Sequence, residues 1–228
     1  LFAFFVARKD KTYFEIFYIG VLFIAIDVLI FITGERTAFF LLNLSTLFII
    51  CLLKDFKKFR IFTFIIGIFF CLIIALSESQ LKNRMITSPL NSLGLSENAS
   101  QKYIFTPSHD SLIKTSFKMF LDKPILGHGP KMFRKKCDNP KYIVGDHPCS
   151  THPHNFYIQL LAETGVVGFS FLFSIFLYII YCFFKQLKSM IYKEKRYLND
   201  YQVCLLGGIL ITVWPFAPNG NFFNNWLT

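Results

Sequence analysis

The densest group of side chains able to move a proton is Cys149-Ser150-Thr151-His152-Pro153-His154-Asn155, which runs straight into the apolar stretch Phe156-Tyr157-Ile158-Gln159-Leu160-Leu161-Ala162-Glu163-Thr164-Gly165. The stretch predicts a helix that Ser150 or Thr151 would cap, with Pro153 tolerated in its first turn. His154 would then sit at the positive end of the helix dipole, which disfavours the imidazolium and keeps the ring neutral near pH 7. A neutral imidazole is what a general base requires. The alternative is a histidine that only helps to cap the helix at a membrane surface, and spacing does not separate the two.

Three further groups are candidates for binding or bracing. Cys137 and Cys149 would close a loop of about a dozen residues, worth roughly 3 kcal/mol as a disulfide in the chain-entropy picture. The rival is zinc held by these two with His147, His152 or His154, although the spacing matches none of the common zinc patterns. Arg36, beside Glu35 in a short turn, can snorkel or pair with its neighbour, or its guanidinium fork can hold a phosphate at two points. Lys123-Pro124-Ile125-Leu126-Gly127-His128-Gly129-Pro130 reads as a tight turn; its Gly127 and Gly129 are weak evidence for phosphate binding and also suit a purely structural turn.

The elements that must position these groups are set by composition. The chain of 228 residues is 54% hydrophobic and 18% aromatic, with a mean hydropathy of +0.47, too apolar for a soluble domain of this size. Runs such as Phe62-Thr63-Phe64-Ile65-Ile66-Gly67-Ile68-Phe69-Phe70 do not alternate with polar residues, which points to lipid as the solvent. The net charge of +10 resides in short clusters between apolar stretches, an arrangement that suits membrane flanks and not nucleic acid.

Stretches near 13–33, 37–53, 61–77, 156–184 and 200–217 predict an all-α, polytopic bundle of about five spans. Arg8, Lys9 and Lys11, then Lys54, Lys57, Lys58 and Arg60, then Lys185, Lys188, Lys193, Lys195 and Arg196 mark the cytoplasmic loops by the positive-inside rule. The turn at 34–36 and the segment 78–155 would face the other side. The expected organisation is therefore 1–77 as three spans, 78–155 as an extramembrane loop domain and 156–228 as two spans with a truncated end. Within the loop, apolar residues 112, 113, 117, 120 and 121 predict an amphipathic helix from Ser111 to Leu121, capped by Asp110 or Ser111, on the membrane or on the protein. The chain opens at Leu1 inside an apolar stretch and ends at Asn219-Gly220-Asn221-Phe222-Phe223-Asn224-Asn225-Trp226-Leu227-Thr228, so it reads as a fragment.

Together these stretches resemble the O-antigen ligase and polymerase superfamily, multi-span membrane proteins with a large periplasmic loop. The most specific parts are Asp122-Lys123-Pro124-Ile125-Leu126-Gly127-His128-Gly129-Pro130 followed by His152-Pro153-His154-Asn155 with Glu163 and Gly165, and the short turn Thr33-Gly34-Glu35-Arg36-Thr37-Ala38. The resemblance implies a bacterial inner-membrane, multi-pass glycosyltransferase with its active site facing the periplasm and its body among membrane lipids. It implies His154 as the base that takes the acceptor's proton and Arg36 as the residue that binds the pyrophosphate of an undecaprenyl-linked glycan donor. The family usually shows another Arg at the start of the loop helix, where this chain has His109; His109, Lys114 or another loop cation would supply the second contact. His152, Asn155, Glu163, Gly165, Gly127 and Gly129 would support the site.

No metal and no cofactor is expected, since sugar nucleotides stay in the cytoplasm and a lipid-pyrophosphate leaving group needs only its charge neutralised. Attack opposite the pyrophosphate would invert the anomeric centre. The leading expectation is a ligase that joins O-antigen glycan to lipid A-core. Nothing in these residues separates it cleanly from the related polymerase, and a protein-directed transferase of the same superfamily is a third option. A transporter or flippase predicts charged or Gly/Pro-broken positions within the spans, for which only Asp27 and Pro215 qualify, and a structural or sensory membrane protein with an outer domain is the simplest option.

Overall fold

A computed structural model of the chain describes residues 12–54, 56–92 and 106–224. Arg8, Lys9 and Lys11, expected to mark the first loop, lie outside the described residues, as does the end of the chain from 225 to 228. The fold is all-α, with no strand among the described residues. Helices α1 (Tyr13–Ile32), α2 (Arg36–Leu52) and α3 (Lys57–Ser77) are followed by the short α4 (Ser79–Lys82), a π-turn (Asn83–Thr87) and α5 (Ser88–Ser92). Then come α6 (Pro107–Asp122), the single turn α7 (Phe133–Lys136), the long α8 (Phe156–Ile191) and α9 (Asp200–Thr212). Helices α1, α3 and α8, with 20, 21 and 36 residues, are long and apolar enough to cross a membrane, whereas α2 and α9, with 17 and 13, are shorter apolar helices.

Two spans predicted from hydropathy differ in detail. The stretch at 200–217 is helical only to Thr212, because Pro215 cannot donate to the helix and biases the residue before it away from helical torsions. The stretch at 156–184 extends to Ile191 and is interrupted at Gly165, whose φ of 64° and ψ of −162° are not helical. The loop helix α6 starts at Pro107 and not near Ser111. Thr106 is its cap residue, and Pro107, with its fixed φ and no N–H to leave unpaired, opens its first turn.

The chain divides into two compact units. The first holds residues 1–89 and 178–213, with α1–α3, the π-turn and α9. Small residues allow its helices to approach closely, as is usual where lipid removes the hydrophobic drive. A Cβ at Gly20 of α1 would lie 2.7 Å from the Phe59 ring, and one at Gly67 of α3 would lie 2.9 Å from an Asp27 carboxylate oxygen. Asp27 is fully buried and accepts a hydrogen bond from Asn43 at 3.1 Å, so it joins α1 to α2. Arg60 closes the end of α2 by donating to the carbonyl of Leu53 (2.9 Å), which the helix terminus leaves without a helical partner, and to that of Ile49 (2.8 Å), which also accepts the Leu53 N–H. Phe31, Cys71 and Ala75 form a core against which Met85 and Ile86 of the π-turn pack.

The second unit holds residues 90–177 and 214–228. Its core is Leu112 and Met119 of α6 with Phe133, Cys137, Tyr142 and Ala162. The buried side of α6 runs through Leu112, Thr115, Ser116 and Met119. Phe117 and Leu121, counted in the predicted apolar face, are exposed instead, since a 3.6-residue period fixes a stripe but not which neighbour covers it.

Candidate functional site

The second unit is organised around the break at Gly165. Where α8 stops being helical its backbone groups lose their partners, and the turn after α6 supplies replacements. The N–H groups of His128 and Gly129 donate to the carbonyls of Ala162 (3.1 Å) and Glu163 (2.8 Å), while those of Val166 and Val167 donate to Pro124 (2.8 Å) and Ile125 (3.4 Å). Two glycines make this approach possible. A Cβ at Gly165 would lie 2.2 Å from the Ile125 carbonyl oxygen, and one at Gly127 would lie 2.4 Å from the Glu163 carbonyl carbon.

Side chains on the first turns of α8 carry the same contact inward. Glu163, buried, accepts from the backbone N–H of Lys131 (3.1 Å) and Phe133 (2.8 Å) and from the Gln159 amide (3.0 Å). Gln159 also donates to Asn221 at 2.8 Å and accepts from the Phe222 N–H at 2.9 Å. Every polar atom of such a buried network needs a partner to offset its desolvation, so the network fixes one arrangement of the loop. His128 belongs to it: its ring, 1% exposed, donates from Nε2 to the Met119 carbonyl (2.9 Å) and accepts the Lys136 ammonium at Nδ1 (3.1 Å). Burial holds its pKa below 6.5, which matches that neutral tautomer.

The histidine segment sits on this scaffold. A Cys137–Cys149 disulfide, with Cα atoms 5.0 Å apart, ties its start to α7. At its other end Asn155, and not Ser150 or Thr151, caps α8. Its Oδ1 accepts from the Ile158 N–H (3.1 Å) and its Nδ2 donates to the Pro215 carbonyl (2.8 Å). Pro153 thus lies before the helix, and the Thr151 hydroxyl meets His152 Nδ1 at 2.9 Å. Asn219 closes the join, its N–H donating to the His154 carbonyl (2.9 Å) and its side chain accepting from the Phe156 N–H (2.9 Å).

His154, just ahead of the cap, has a φ of 58°, a left-handed conformation that a non-glycine residue holds only when its surroundings impose it. Its ring lies 4.1 Å from that of His152 and 5.3 Å from that of His109, centroid to centroid. Burial lowers the pKa of His154 below 6.5; burial first, then the neighbouring His154 imidazole, lowers that of His152. The neutral ring expected from the helix dipole is therefore favoured by desolvation. Tertiary structure thus brings His109, at the start of α6, to His154, whose other neighbour is His152. Lys114 pairs with Asp110 at 2.7 Å.

Arg36 belongs to the first unit, as the first residue of α2. Glu35, the neighbour expected to compete for it, is taken instead by Arg84 of the π-turn, which donates from Nε to the Gly34 carbonyl (2.9 Å) and from an Nη to Glu35 (3.3 Å). Gly34, at φ 71°, leaves room for this: a Cβ there would lie 2.9 Å from Arg84 Nε. Arg36 is exposed, and among the described residues its guanidinium has no hydrogen-bond or ion-pair partner. Sequence reasoning missed Arg84, whose role depends on a π-turn that leaves no compositional signal. It also missed Asn219 and Asn221, although the Asn-Gly-Asn run after Pro215 and Pro218 was visible as a turn.

The model of the O-antigen ligase family matches residues 20–173, about two thirds of the chain. The chain belongs to the O-antigen ligase family. It is accordingly a membrane protein of a glycosyltransferase-like family that handles lipid-linked glycans. Neither a curated protein nor a solved structure matches it. The matched span includes the Arg36 turn, Arg84, α6, the glycine turn, the histidine cluster and the break at Gly165. The Asn219–Asn221 segment that clasps α8 falls outside it.

Proposed function

We propose that this O-antigen ligase family member transfers a glycan from an undecaprenyl-pyrophosphate donor to an acceptor hydroxyl on the periplasmic face of the bacterial inner membrane, with lipid A-core as the acceptor. The observation that carries the reading is His154: a desolvated imidazole held in a left-handed backbone conformation between His109 and His152. Among the described residues its ring nitrogens have no hydrogen-bond partner, so they are free to take a proton.

In the proposed step the acceptor oxygen attacks the anomeric carbon as its proton passes to His154, and the bond from that carbon to the pyrophosphate oxygen breaks. The configuration inverts, the glycan leaves on the acceptor, and undecaprenyl pyrophosphate departs with the electron pair. Arg36 binds the pyrophosphate and neutralises the charge that develops there, a task a cation performs without a metal ion. Its freedom from Glu35 supports that role. His109 is assigned to the base: beside His154, it would orient that ring toward the acceptor. Asn155, Glu163, Gly127, Gly129 and Gly165 hold the histidine segment and the loop in register, with the Cys137–Cys149 bridge.

The test is His154→Ala in the full-length protein. Glycan transfer should be abolished while membrane levels and disulfide formation are unchanged; intact transfer would reject the general-base role. Loss of the gene separates the two acceptors. Bare core with accumulated lipid-linked polymer identifies a ligase, and a single repeat retained on the core identifies the polymerase.

A further inference from the structure

Helix α6 has an apolar edge that no described residue covers. Phe117 and Leu121, one helical turn apart, remain exposed, and Lys114 and Lys118 each lie three residues before one of them, on the same side of the helix. The turn that follows projects Ile125 and Leu126, 65% and 72% exposed. Through Pro124 and Ile125 this turn is hydrogen-bonded to Val166 and Val167 of α8, which are also exposed.

The level of that contact is set by α8 itself. From Val166 to Phe184 the helix carries no charge, and Lys185 ends the run. About twenty residues at a rise of 1.5 Å span roughly 30 Å, the thickness of a bilayer's hydrocarbon. Before Gly165 the helix carries the buried polar pair Gln159 and Glu163, committed to loop and backbone partners. The hydrocarbon therefore begins near Val166, and the bonds to Pro124 and Ile125 put the exposed Ile125 and Leu126 at its edge.

We propose that the Pro124–Leu126 turn and the Phe117/Leu121 edge of α6 insert into the bilayer leaflet adjoining the loop. Lys114 and Lys118 then stand at the level of the lipid phosphates. The occupant of this surface is phospholipid: the edge is continuous with the lipid-facing side of α8, and the charges beside it, the Lys114–Asp110 and Lys141–Asp122 pairs with Lys118 and Lys123, suit the zwitterionic and anionic headgroup layer. The leaflet thereby fixes the height of the loop that carries His109 at the other end of α6. The inference rests on the membrane reading and not on the transfer chemistry, so a failure of the His154 test leaves it standing.

The experiment uses the full chain in nanodiscs of phosphatidylcholine and phosphatidylglycerol, with and without bromine on the acyl chains. A tryptophan is added as Leu126→Trp or, as an independent variant, Ile125→Trp. The reference is Asp146→Trp, an exposed position next to Gly145, whose Cβ would touch Ser111 in the first half of α6. The added emission at 126 and 125 should fall at least twofold in brominated lipid while that at 146 is unchanged. Emission at both 126 and 125 as insensitive to bromine as that at 146 would overturn the proposal.

Discussion

Gly165→Ala tests the central claim about the second unit, that a break in α8 is held open by the turn after α6. The backbone there, at φ 64° and ψ −162°, lies in a region open essentially to glycine alone, so alanine costs about 1–3 kcal/mol in torsional strain. Its Cβ would also lie 2.2 Å from the Ile125 carbonyl oxygen, an atom of the main chain that cannot swing aside. Retreat of the turn would break the Val166–Pro124 and Val167–Ile125 bonds, at about 1 kcal/mol net each. The total, about 3–5 kcal/mol, is a large part of the ~5–15 kcal/mol that ordinarily holds a domain together. At roughly 2–4 °C per kcal/mol the melting temperature should fall on the order of 10 °C.

Gly208→Ala is the matched control, since a Cβ there meets nothing within 4 Å and alanine favours a helix over glycine by up to about 1 kcal/mol. Both variants would be melted in detergent micelles and followed by near-ultraviolet circular dichroism. If Gly165→Ala melts within about 2 °C of the parent, or with Gly208→Ala, the tight docking of turn on helix is wrong.

Two further outcomes follow from the electrostatics. His128, His152 and His154 have folded pKa values depressed below 6.5 by burial, so the unfolded chain binds more protons as the pH falls through that value. Stability should be level between pH 7 and 8 and drop below about pH 6.5, read from chemical denaturation midpoints; a curve flat from pH 8 to 5 would show that these rings are not desolvated. Arg84→Ala should cost about 1–2 kcal/mol, since it removes an exposed ion pair and one hydrogen bond to the Gly34 carbonyl, and it releases Glu35 to compete for Arg36. The Michaelis constant for the lipid donor should then rise severalfold with little change in turnover, and Glu35→Gln in the same background should restore it. Equal constants for the single and double variants would refute the competition.

The histidine cluster was only half legible in the sequence. His154 ahead of an apolar helix and the glycine turn ahead of Gly165 were both visible, because each is a local pattern. That His109 lies against His154 could not be read, since the two are separated by 45 positions and brought together by tertiary contacts, among them the core around Leu112 and Met119. The cap of α8 was misplaced for a related reason: Ser150, Thr151 and Asn155 are all good caps, and the contacts to Pro215 and Asn219 select the last.

By itself the sequence determined that this is a helical membrane protein with a long polar loop between its apolar helices. Apolar runs of span length must satisfy their backbone hydrogen bonds internally wherever they meet lipid, and that requirement depends on composition alone. The tertiary structure decided which polar groups face one another: Arg84 with Glu35 in place of Arg36, Glu163 with the backbone at Lys131 and Phe133, and His109 with His154. Those choices depend on burial and on unpaired backbone groups at the break in α8, quantities that exist only once distant segments have been brought together.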